Sequence, residues 1–71
     1  MVKVMLNSKA VRQVLARKNK SQNWLAQRLG ISSGFMAQLL ASERCPSPNL
    51  RERILANFKE LRFDDLFTIK A

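Results

Sequence analysis

Gln22-Asn23-Trp24-Leu25-Ala26-Gln27-Arg28-Leu29-Gly30-Ile31-Ser32-Ser33-Gly34-Phe35-Met36-Ala37-Gln38-Leu39-Leu40 is the stretch from which the rest of the chain can be read. Leu25, Ala26 and Leu29 fall three and four apart, as do Met36, Leu39 and Leu40, so each segment predicts a short amphipathic helix. Ser21 and Ser32 stand where N-caps belong, and Gly30 stands where a helix has to stop. A glycine takes the left-handed conformation there without Cβ strain. Two short helices on either side of such a turn must cross steeply. Ala26 is small enough to let the backbones approach, and Leu25, Ile31, Met36 and Leu39 lock the angle from inside. The second helix is then pushed outward, with its N-terminal side chains free to enter a groove as wide as a helix.

On the N-terminal side, Met1 to Leu6 alternates weakly and predicts a short strand or an ordered arm over residues 1–7. Asn7 or Ser8 caps a first helix reaching about Lys18. Val11, Val14 and Leu15 face inward, and Lys9, Arg12 and Arg17 face solvent. Asn19-Lys20 makes the next turn. On the C-terminal side, Ser47 caps a fourth helix with Pro48 at its first position, where a missing amide proton costs nothing. Leu50, Ile54, Leu55 and Phe58 supply its inward stripe. A last turn with an aspartate cap is expected near Asp64-Asp65, with Phe63 and Phe67 closing the core. Residues 68–71 form a tail that, if extended, pairs with the arm. The expected class is all-α, a compact bundle of four to five short helices over residues 8–67.

With 71 residues there is room for one domain with a thin core. The net charge of +8 is unevenly placed. Glu43 is the first acid, so every basic residue before it stands unopposed, while all five acids share the tail with the remaining cations. A polyanion is the natural partner. Cys45 is the only cysteine and there is no histidine, which excludes an internal disulfide and a zinc site of the usual kind. Cys45 itself is expected to be half-buried at a turn. No base, paired nucleophile or glycine-rich phosphate loop is present, so the chain is read as non-enzymatic, without cofactor or metal. No apolar run is long enough for a membrane span and no signal peptide opens the chain, which together fit a cytoplasmic protein.

These residues resemble the lambda-repressor-like, or Cro/C1-type (XRE), helix-turn-helix family. Its pattern asks for glutamine at the start of the second helix, alanine four residues on, glycine four beyond, and aliphatic residues six and nine past the glycine. Gln22, Ala26, Gly30, Met36 and Leu39 fill those places. Pro46-Ser47 and Asp65-Leu66-Phe67 also resemble the family's last two helices. Leu40 stands where an acid is common, and Ser42-Glu43 replaces the usual glycine and basic residue.

The resemblance implies sequence-specific binding of double-stranded DNA through the major groove by a transcriptional regulator, most simply a repressor. Ser32, Ser33, Gly34, Ala37 and Gln38 fall at the positions that face base edges. Gln38 suits adenine, Ser33 either donates or accepts, and Ala37 suits a thymine methyl. Ser21, Gln22 and Asn23 are expected at a phosphate, and Lys18, Lys20, Arg28 and Arg44 at the backbone generally. Phe35 is expected against the sugars, with a core or dimer role as the alternative. Trp24 is read as a core-edge residue ahead of an interface anchor. So small a module implies a homodimer, through the arm or the last helix and tail, or a fragment of a larger regulator. The alternatives are a docking module of the same fold for an acidic partner, and an antitoxin that represses its own operon.

Overall fold

Four helices start with the same chemistry in the computed structural model, which describes residues 2–71. The side chains of Asn7, Ser21, Ser32 and Ser47 each accept a hydrogen bond from the backbone N–H three residues on, at 3.0–3.2 Å. Each satisfies one of the amides that a helix start leaves without a partner. They open α1 (Ser8–Arg17), α2 (Gln22–Leu29), α3 (Ser33–Leu40) and α4 (Pro48–Asn57). Asn7 is therefore the first cap, while the Ser8 hydroxyl donates to the Leu40 carbonyl and ties α1 to the end of α3.

The first three helices also end alike. Asn19, Gly30 and Ser42 have φ of 56°, 69° and 60°. The amide that follows each one reaches back five residues: Lys20 to Leu15, Ile31 to Ala26, and Glu43 to Gln38, at 2.9–3.0 Å. This left-handed ending absorbs the free carbonyls of the last turn. Only Gly30 announces it by residue type. Ser42 adopts the left-handed geometry even though it stands where the resembled pattern has glycine.

A strict all-α class is corrected by the two ends of the chain. Strand β1 (Lys3–Leu6) pairs antiparallel with β2 (Phe67–Lys70), in the register Lys3↔Lys70, Val4↔Ile69, Met5↔Thr68 and Leu6↔Phe67. Leu6 and Phe67 sit opposite each other and are both buried, and burying that pair fixes the register. The arm expected at residues 1–7 is this first strand, the tail supplies most of the second, and Met1 lies outside the described residues. A short α5 (Phe63–Leu66) leads directly into β2. Its cap is Arg62 and not an aspartate: the Asp65 carboxylate accepts from the Arg62 amide at 2.8 Å. Asp65 thus serves as the third residue of the turn, where a carboxylate also meets the helix dipole.

All five helices contribute to one core. Val11, Leu25, Leu29, Met36, Leu39, Ile54, Phe58 and Leu66 have no solvent exposure. Leu55 is half-buried, and Phe58 reaches the centre from just beyond the end of α4. Phe67 is buried and Phe63 half-buried, with ring centroids 4.9 Å apart. Cys45 is exposed rather than half-buried, because the neighbouring Pro46 turns into the protein in its place.

Candidate nucleic-acid interface

Residues 30–32 set α2 against α3. Gly30 turns the chain, Ile31 folds back onto the core, and Ser32 starts the next helix. A Cβ on Gly30 would come within 3.1 Å of the Arg53 guanidinium, whose Nη2 donates to the Leu29 carbonyl. The turn is thus held from α4 as well as by its own backbone. Ala26 is buried at the crossing. The arrangement is that of a helix-turn-helix-like fold within a mostly helical domain.

With Met36, Leu39 and Leu40 inward and Phe35 half-buried, the remaining residues of α3 face out. Ser32, Ser33, Gly34, Ala37 and Gln38 are all exposed, and the structure brings these five together on one outer side. Ser32 is already engaged, since its oxygen accepts from the Phe35 amide at 3.0 Å. The Ser33 and Gln38 side chains make no hydrogen bond among the described residues. Beside them lies an open recess of about 270 Å³ lined by Asn23, Ala26, Gln27, Ile31 and Ser33. Gln27 was missed in the sequence reading. Its place one helical turn beyond Asn23, on the same face, was the available signal.

The start of α2 borders this recess. Ser21 is spent on capping, Gln22 is half-buried and Asn23 is exposed. Neither α2 nor α3 carries an acid in its first turn, so the positive end of each helix dipole is left uncompensated, an arrangement that favours an anion. Phe35 packs half-buried against the core, and the Arg44 guanidinium lies 5.6 Å from its ring centroid. The aromatic ring therefore positions a cation at the loop after α3.

The other cations expected at phosphates are grouped elsewhere. Lys18 pairs with Glu60 at 2.8 Å, and this hydrogen bond holds the exposed Glu60 carboxyl below the usual carboxylate range. Lys20 and Arg28 both gather at Trp24, 5.4 and 5.5 Å from the ring centroid. Trp24 itself is half-buried against the core, which is its core-edge reading. No helix among the described residues is long and apolar enough to cross a membrane. Compared with protein-family models, curated proteins and solved structures, the chain finds no match.

Proposed function

We propose that the chain is a sequence-specific DNA-binding regulator of the Cro/C1 type, a repressor that occludes a promoter by seating α3 in the major groove. The observation that carries this reading is the outer side of α3. Ser33, Gly34, Ala37 and Gln38 are exposed together on a helix with no acid in its first turn, in a chain of net charge +8. Small and polar side chains of this kind allow close approach to base edges. Gln38 offers a donor and an acceptor to adenine, and each good paired contact contributes roughly 1–3 kcal/mol of discrimination. The amides at the starts of α2 and α3, the exposed Asn23 and the aligned Arg44 take the phosphates on either side. Binding is the whole activity in this reading, with no chemistry performed.

One module of this size reads only a few base pairs, so two copies on a palindromic site are proposed. Val2 and Ile69, the large apolar residues left exposed among the described residues, both lie at the terminal strands and give a second copy something to cover.

Selection from a randomised duplex pool tests the proposal. An enriched sequence should emerge, Gln38→Ala should relax the preference at one position, and Arg44→Ala should weaken binding to every duplex about equally. Affinity should also fall steeply with added salt. A pool that returns no enriched sequence overturns sequence-specific recognition.

A further inference from the structure

At 3.6 residues per turn, Trp24 and Arg28 lie about 100° around α2 from Asn23 and Gln27. Asn23 and Gln27 line the recess beside α3, whereas Arg28 reaches α4, its Nε donating to Asn57 Oδ1 at 3.1 Å. Asn57 is fixed in turn, because its Nδ2 donates to the Arg53 carbonyl at 2.9 Å. The Arg28 guanidinium is therefore held from one side by an amide and from the other by the Trp24 ring. Lys20 approaches the same ring from the start of α2. Neither cation meets a carboxylate among the described residues, and the Arg28 Nη groups have no acceptor there. Two unneutralised cations share a half-buried indole on a flank about 100° around α2 from the recess side.

We propose that the Lys20–Trp24–Arg28 flank is a docking surface for an acidic segment of a partner protein. The complementarity is one of charge and of shape. A carboxylate meets the outward Nη pair of Arg28 in the two-pronged geometry that guanidinium favours. A second carboxylate meets Lys20, and the methylene groups between them rest on the indole. Because Arg28 is already held in place, little side-chain entropy is lost when the partner arrives. A peptide fits this surface better than a duplex does, since a duplex seated on α3 meets the recess side of α2. The surface therefore lets the domain recruit a partner while the α3 side stays free.

Trp24 is the only tryptophan in the chain, so its emission reports this surface directly. The full chain is titrated with an acetylated hexaglutamate peptide, and with hexaglutamine as the uncharged control, with and without random-sequence duplex. The expected result is a saturable emission change with hexaglutamate alone, which persists when duplex is present. Arg28→Gln and Lys20→Gln should each weaken it about tenfold, the loss of a charge-assisted contact. Arg44→Gln should change it less than about twofold, as for an exposed charge held at another ring. Circular dichroism of each variant separates lost docking from lost folding. No saturable change, or an equal loss in Arg44→Gln, overturns the proposal. Displacement of the peptide by duplex also overturns it, and assigns the flank to nucleic acid. Duplex binding is measured separately in the same series, so a failure of the DNA reading leaves this result interpretable.

Discussion

At the turn between α2 and α3, Gly30 holds φ +69°, and a Cβ there would crowd the Arg53 guanidinium at 3.1 Å. Four residues on, at the tip of α3, a Cβ on Gly34 would meet nothing nearer than the Ser32 Oγ at 4.0 Å. The first glycine is required by its own backbone and by its neighbours. The second has ordinary helical geometry with open space around it, and its free-chain effect is a loss of helix propensity of about 1 kcal/mol relative to alanine. The turn is therefore built for the protein, while nothing inside the protein accounts for the bare tip. That contrast agrees with an outer side of α3 whose fit is to something beyond the chain.

Alanine at the two glycines should move stability in opposite directions. Gly30→Ala forces an L-residue into the left-handed region and displaces Arg53, so a loss of about 1–2 kcal/mol is expected in urea unfolding. An unchanged midpoint would mean that the turn relaxes freely and the contrast fails. Gly34→Ala should instead gain about 0.5–1 kcal/mol, raising the thermal midpoint by several degrees in a domain of this size. Under the DNA reading the same variant should bind duplex more weakly despite its greater stability. A variant that is both more stable and equally tight would deprive the bare tip of its functional meaning. The smallest effect is expected at Ser42, whose φ of 60° is left-handed without the freedom of glycine. Ser42→Gly relieves that strain but adds chain entropy, so the net gain should be a few tenths of a kcal/mol. Calorimetry of the three variants side by side would rank them.

Much of the helical layout was legible because caps and apolar spacing are local signals. Ser21, Ser32 and Ser47 cap where their residue types predicted, and Pro48 opens α4. The cap of α5 was misread because Asp64 and Asp65 suit both a cap and a first turn, and only the path of the chain chooses between them. Cys45 was misplaced for a related reason: which of two neighbouring loop residues turns inward depends on what lies beneath. At the candidate interface, the exposed set on α3 followed from the inward residues of the same helix. The grouping of Lys20 and Arg28 at Trp24, and the pairing of Lys18 with Glu60, did not follow. Long cations reach partners that sequence distance does not reveal, as with Lys18 and Glu60 from opposite ends of the chain.

The sequence by itself determined where α2, α3 and α4 begin, where α2 stops and which face of each main helix is apolar, because those properties arise from hydrogen bonds and side-chain spacing within a few residues. Tertiary structure alone decided that the two ends meet as a β-ribbon. An antiparallel pairing of four-residue strands has no local reward until Leu6 and Phe67 are buried together against the folded helices.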